Sequence, residues 1–208
     1  MNMTSTASFN SHYAYLKKLE CFQLEKQIKM QSVPQMSLMT SIDANGIVWQ
    51  IDLPDREPCF MCSKIGELDD QFFVVHVDAQ KFYYYWLLSS VNPSDRNRPN
   101  HCVLLKDMPR DYKFHNAVNH FKDSQSNPIP LALAFADSYY GNPYIGFTDG
   151  VTRTMWLLVN GAKSFPIEVH SEGSAQHLFE LAGIGESPMS YRQLKLKHNF
   201  QTPNFSHI

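Results

Sequence analysis

The chain has 208 residues, of which 43% are hydrophobic and 18% charged, and its formal net charge is −2. This length and composition predict one globular domain, with or without an appendage, and exclude a chain that is disordered throughout. The near-neutral charge excludes wholesale electrostatic adhesion to nucleic acid or to an anionic membrane, although a local basic patch is compatible with it.

Membrane insertion and disulfide bonding are not expected. The longest strongly apolar run, residues 82–88, is far shorter than the roughly 20 residues that span a bilayer, and no signal-like segment opens the chain. Of the four cysteines, only Cys59 and Cys62 are close in sequence, which favours reduced thiols over a disulfide scaffold. We therefore expect a protein of the cytosol.

The first elements in chain order are a tail, a helix and a strand. Residues 1–10 are small and polar, which is typical of a loose tail. Residues 11–30 favour a helix that begins at Ser11 and is over by Pro34. An Asn-Gly turn then leads into a predicted strand over 47–53.

A strand over 71–77 is predicted to pass directly into a helix. Asp78 can cap that helix, which runs over 79–89. Its aromatic run, residues 82–86, could stack bases, but core packing is the better prediction because consecutive helical residues point all round. The polar loop over 91–100 then offers Arg96 and Arg98 as contacts for phosphate or for a partner.

The second half repeats this mixture of helices and strands. Residues 109–124 read as a helix in which Phe114, Ala117, Val118 and Phe121 share one face. Three strands are predicted around residues 127–137, 144–149 and 165–170, and a last helix is capped by Ser174 and stopped by Gly183. Together with the earlier elements, they imply a mixed α/β (α+β) fold with helices packed on a sheet.

The predicted organisation has three parts. Residues 1–44 form a tail and a helical extension, residues 45–186 form the domain, and residues 187–208 form a mildly basic C-terminal tail.

The turn at Asp149 is the most informative motif. Asp149 occupies the position of an N-cap, Gly150 permits a tight strand-to-helix turn, and Gly161 stops the helix that follows. Thr152 and Arg153 lie on the polar face of the first helical turn, where free amides and the helix dipole favour a phosphate or a carboxylate. The pattern alone favours a plainer interpretation, in which Asp149 only caps the helix and Arg153 only pairs with a nearby carboxylate, because a capped helix after a strand is common.

A family resemblance favours the phosphate interpretation. The segment GFTDGVTRTMWLLVNGAKSFPIEV, preceded by NPIPLALAF and, further upstream, by VVHVDAQKFYYYW, resembles the plasmid fertility-inhibition factors of the ParB/sulfiredoxin superfamily over about residues 70–185. Sulfiredoxins carry a catalytic cysteine where this chain has Val151, so sulfinic-acid repair is excluded. ParB-like nucleases often carry a histidine where this chain has Thr152, which leaves phosphate binding better supported than catalysis.

The resemblance implies a function and a location. It implies a bacterial cytoplasmic factor that suppresses conjugative or T-DNA transfer of a competing plasmid, with ATP and a divalent metal such as Mg²⁺ as cofactors. Its site residues would be Asp149, Thr152 and Arg153 for catalysis, and Gly150, Val151, Thr152 and Arg153 for binding. Its partners would be the transferred DNA, the coupling protein of the secretion system, or both. Two mechanisms remain open: ATP hydrolysis with DNA cleavage, or catalytically silent binding of the coupling protein.

Other chemically active residues favour ordinary structural roles. Cys59 and Cys62 with His101 and Cys102 have incomplete zinc-site spacing, so zinc is not expected. Glu168 could hold a metal, but we expect it to face solvent. His115 and His120 are predicted to be surface or core histidines, because they are five residues apart.

Overall fold

Nine strands form two mixed sheets in the computed structural model, which describes residues 3–42, 46–64, 70–91, 102–139 and 141–198. The first sheet has the order β1-β2-β3-β5, and only its β3–β5 pair is parallel. The second has the order β7-β6-β8-β4-β9, and only its β6–β8 pair is parallel. The strands are β1 (Leu38–Ile42), β2 (Gly46–Leu53), β3 (Arg56–Lys64), β4 (Phe72–Asp78), β5 (Ile129–Pro130), β6 (Leu133–Tyr139), β7 (Asn142–Asp149), β8 (Ser164–His170) and β9 (Met189–Ser190).

Six α-helices and a short 3-10 helix complete the described part of the chain. No helix within these described residues is long and apolar enough to cross a membrane. The mixed α/β architecture predicted from the sequence is confirmed. The helices are α1 (Met3–Met30), α2 (Ala79–Ser89), the 3-10 helix (Leu105–Arg110), α3 (Phe114–Lys122), α4 (Val151–Val159), α5 (Glu172–Ala182) and α6 (Tyr191–Lys197).

The strand-to-helix junction at Asp78 forms as predicted. The Asp78 carboxylate accepts hydrogen bonds from the backbone amides of Gln80 and Lys81, at 2.9 and 3.1 Å. Phe82 and Trp86 are fully buried in one core that takes residues from both sheets, so the aromatic run is core packing. A local cap and an apolar stripe suffice to define α2.

Several predicted boundaries are wrong. The first helix begins at Met3, ahead of Ser11. Helix α5 begins at Glu172, and the Ser174 hydroxyl instead bonds the backbone of Ala136 on β6, at 2.9 Å to both its amide and its carbonyl. Strands β1 and β3 were not predicted.

The segment predicted to be a C-terminal tail contains structure. Strand β9 pairs with β4 at the edge of the second sheet, and α6 follows it directly. Ser190 caps α6 through a reciprocal pair of hydrogen bonds with Gln193, which is a capping box. The predicted loop over 91–100 lies, beyond Val91, outside the described residues, and so does His101.

Candidate functional site

The candidate site lies at the turn between β7 and α4. Gly150 connects the two elements in a left-handed conformation, with φ 91° and ψ 13°. A Cβ atom at this position would lie 2.5 Å from the Cβ and 2.6 Å from the Cα of Ala132. Glycine is therefore required twice, for its backbone angles and for the close approach of the two chain segments.

The predicted N-cap role of Asp149 is wrong. Gly150 occupies the cap position of α4, and no side chain bonds the first helical amides there. The Asp149 carboxylate instead accepts from the Gly150 amide at 2.7 Å and from the Arg153 guanidinium. The left-handed glycine makes the turn too sharp for Asp149 to reach the amides of the helix, so its carboxylate stabilises the turn itself.

Arg153 is a structural clamp as well as a site residue. One guanidinium nitrogen donates to Asp149, and the other donates to the Pro130 carbonyl at 2.8 Å. Its side chain is 17% exposed, whereas that of Asp149 is 75% exposed. The predicted pairing of Arg153 with a nearby carboxylate is thus present, and it ties the start of α4 to β5.

A cleft of about 540 Å³ opens beside this turn. Thr152 and Arg153 form one wall, and the other wall comes from α3 and the segment before β5. The amides of the first turn of α4 have no intrahelical acceptors, so they carry partial positive charge toward this end of the helix. The lining residues are Lys113, Asn116, Ala117, His120, Asn127, Pro128, Ile129, Pro130, Asp149, Thr152 and Arg153.

The wall that α3 contributes was missed by the sequence analysis. Lys113 at the N-cap of α3 and Asn116 and His120 within it lie three and four residues apart, so they share one face and all line the cleft. His120 was predicted to be an ordinary surface or core histidine. The signal was present in the spacing, as a polar stripe beside the apolar stripe of Phe114, Ala117 and Phe121.

The prediction that Glu168 faces solvent is wrong. Glu168 is half-buried, and burial raises the pKa of its carboxyl, while the Tyr191 hydroxyl that donates to it and the nearby Arg153 guanidinium oppose that shift. In the sheet, Leu133 pairs with Asp149 on one side and with Glu168 on the other. The carboxyl therefore lies beneath the same end of the sheet as the turn, where it interacts electrostatically with Arg153.

The remaining predicted ligands do not form a metal cluster. Within the described residues, no group of three or more His, Cys, Asp or Glu side chains could hold a metal ion. Cys59 and Cys62 are three apart on β3, so they point to opposite faces of the strand. Burial raises the pKa of the Cys59 thiol to about 12, and the Cys62 thiol lies 3.3 Å from the Pro128 carbonyl as a donor. Cys102 is fully buried.

Comparison with known proteins identifies the class of protein to which this fold and site belong. Residues 74–183, which span β4 through α5, match the model of the plasmid fertility inhibition factors. The chain belongs to this family, as its motifs predicted, and Val151, Thr152 and Arg153 lie within the matched region.

Two relatives cover most of the chain. It is 31% identical over 179 residues to the protein osa of Shigella flexneri, an alignment that spans 85% of this chain and 90% of that protein. It also resembles the crystal structure of the oncogenic suppression activity protein, a plasmid fertility inhibition factor solved as a gold(I) cyanide derivative. That match has a TM-score of 0.79 and 28% identity, and it covers 90% of this chain and 96% of the other.

Proposed function

We propose that this fertility inhibition factor acts in the cytoplasm of a donor bacterium, where it binds nucleotide or DNA phosphate in the cleft at the Asp149–Arg153 turn and hydrolyses ATP and DNA there. This activity would suppress conjugative or T-DNA transfer of a competing plasmid. One observation carries the proposal: the cleft sets Lys113, at the N-cap of α3, and His120 within α3 against Thr152 and Arg153 at the start of α4.

The cleft has the chemistry that a phosphate group needs. Backbone amides of the first turn of α4 and the Thr152 hydroxyl can donate to phosphate oxygens, and Lys113 adds a full positive charge. Arg153 keeps the turn in shape through Asp149 and Pro130, so its charge stays beside the cleft. A volume of about 540 Å³ falls within the usual range of small-molecule sites.

His120 offers a substitute for the histidine that ParB-like nucleases carry at the position of Thr152. Imidazole is the side chain most often used to move a proton at neutral pH, and His120 lines the same cleft from α3. Asp149 is the one carboxylate among the described lining residues, and its side chain is exposed. One carboxylate together with substrate phosphates suits Mg²⁺, which would polarise the phosphate and the attacking water.

The test compares Lys113, at the N-cap of α3, with Lys122, the last residue of that helix. Lys113→Gln removes the cation that lines the cleft, and Lys122→Gln removes an exposed lysine of α3 that does not line it. Both proteins are assayed for binding of labelled single-stranded DNA and of ATP, for Mg²⁺-dependent cleavage and ATP hydrolysis, and for suppression of plasmid transfer. We expect Lys113→Gln to bind more weakly and to suppress transfer less, and Lys122→Gln to match the wild type in both. Equal behaviour of the two variants would overturn the proposal.

The silent-inhibitor alternative is favoured by an exposed apolar stripe on α1. Tyr15, Leu19 and Phe22 are 56%, 41% and 56% exposed and recur at helical spacing, so they form one face. Such a face is typical of helices that bind a protein partner, which here would be the coupling protein. Phe22→Ser tests it, with Met30→Ser as the control at the exposed end of the same helix. Loss of suppression with intact DNA binding in Phe22→Ser alone would favour this alternative.

A further inference from the structure

A second cavity, of about 430 Å³, lies between the two sheets and α6. Its walls combine apolar side chains from four strands, from the segment before β1 and from α6 with polar residues, which include Gln35, Ser37, Ser187 and His198. At its polar rim Lys197 forms an ion pair with Glu186. The apolar lining consists of Met36, Leu38, Met39, Trp49, Val74, Met189 and Leu194. None of its lining residues belongs to the cleft at Asp149.

His76 is the one polar side chain that the second sheet's strands contribute to this cavity. Its Nδ1 atom is buried and has no hydrogen-bond partner among the described residues, and its ring packs edge-on against Trp49 with 6.3 Å between centroids. An unpartnered N–H group in a buried position costs more free energy than an unpartnered lone pair. The favoured tautomer of His76 therefore carries its proton on Nε2 and its lone pair on the buried Nδ1. The Nε2–H group is then the donor that can serve the cavity.

The surroundings keep this imidazole uncharged. Burial lowers the pKa of His76 to about 4, and the nearby Glu186 carboxylate only weakly opposes that shift. At neutral pH the ring is therefore a neutral donor in an apolar wall. Three methionine side chains adapt readily to the shape of an apolar guest and make favourable contacts with aromatic rings.

We propose that this cavity binds a small uncharged molecule, an apolar ring or short chain that carries one oxygen acceptor, with that oxygen bonded to the Nε2–H group of His76. The volume matches a small-molecule site, and apolar walls that carry a few polar groups are the usual composition of such sites. A charged ligand fits less well, because its charge would have to compete for Lys197 with Glu186.

Phenol and toluene probe the proposal, because they share a ring and differ in the oxygen. Each is titrated into the full chain with ¹³C-methyl-labelled methionine, and the methyl signals of Met36, Met39 and Met189 report occupancy. One hydrogen bond is worth about a fivefold change in affinity, so His76→Phe should weaken phenol binding about fivefold relative to toluene binding. His115→Phe, at an exposed histidine, should leave the ratio of the two affinities unchanged.

A second measurement needs no variant. In the wild type with ¹⁵N-labelled histidine, phenol should shift the Nε2 resonance of His76 and leave Nδ1 nearly unmoved. The proposal is overturned if His76→Phe weakens phenol binding no more than toluene binding, if the three methionine methyls do not respond, or if the Nε2 resonance stays in place.

Discussion

At the scale of single residues, the turn at Gly150 depends on the absence of a side chain. Its φ of 91° lies in the left-handed region, and Ala132 approaches to where a Cβ atom would be. These two features add, because an alanine would be strained in its backbone and would also push away the chain before β6.

Gly150→Ala is therefore expected to lower the free energy of unfolding by about 2–4 kcal/mol, from about 1 kcal/mol of backbone strain and about 1–3 kcal/mol of overpacking. Urea denaturation measures the change. Gly173→Ala is the matched control, since a Cβ there meets nothing within 4 Å and the residue lies in α5. That variant should be neutral or more stable by up to about 1 kcal/mol. Equal losses in both would contradict the assigned role of Gly150.

Glu168 gives a second residue-scale prediction, which concerns pH. Burial raises the pKa of the Glu168 carboxyl in the folded protein. Above the ordinary glutamate pKa of about 4.3, the unfolded state has released this proton while the folded state still keeps it. Stability contributed by this carboxyl is consequently lost as the pH rises through that window. The sign is opposite to that of an ion-paired surface carboxylate.

Glu168→Gln removes this titration and keeps the shape of the side chain. We expect the stability of the variant relative to wild type to increase as the pH rises above about 4.3, and to level off once the carboxyl has titrated in the folded state as well. Urea unfolding over that range measures it, and Glu180→Gln, at an exposed carboxylate of α5, should give a flat difference. A difference that falls with rising pH would show that the Tyr191 and Arg153 contacts outweigh burial.

At the scale of elements, the sequence was informative where the determinants are local. The cap at Asp78, the apolar stripe of α2, the glycine at position 150 and the stop at Gly161 all act within a few residues of the element that they define. The edge strand β9 was not predicted, because no local pattern marks it. It has two residues and is a strand only through its pairing with β4.

The same distinction applies to the candidate site. Asp149, Thr152 and Arg153 could be placed at a strand-to-helix turn from their order alone. The opposite wall could not be placed, because Lys113 and His120 reach the cleft only through the packing of α3 against α4. Glu168 was misplaced for the same reason, since its partner Tyr191 belongs to a helix that the composition did not reveal.

The cap at Asp78 also connects two helices, which makes it testable at this scale. Its carboxylate accepts from two amides of α2 and from the Gln31 side chain just after α1, at 2.9 Å, and it is 1% exposed. Asp78→Ala should lower the free energy of unfolding by about 1–2 kcal/mol, because it removes a cap and leaves two half-buried backbone amides without their acceptor. Ser171→Ala is the control, since Ser171 precedes α5 without any capping bond. Urea denaturation measures the free energy of unfolding of both variants, and comparable losses in the two would contradict this role of Asp78.

At the scale of the whole molecule, charge is sparse and local. The net charge is −2, so the protein as a whole does not attract nucleic acid, and the cleft is a cationic site on a weakly acidic molecule. Binding of DNA through this cleft alone should neutralise few phosphates. That number can be measured, because the salt dependence of affinity counts the phosphates that a protein contacts.

We therefore expect the logarithm of the affinity for single-stranded DNA to fall with the logarithm of salt concentration with a slope of about −1.4 to −2, which corresponds to about two or three phosphates. Lys113→Gln should make that slope shallower by about 0.7, and Lys122→Gln should leave it unchanged. Fluorescence anisotropy between about 50 and 200 mM salt measures both effects. A slope of about −4 or steeper would require about six phosphate contacts, more than Lys113 and Arg153 can make, and would place DNA on an extended surface outside the cleft.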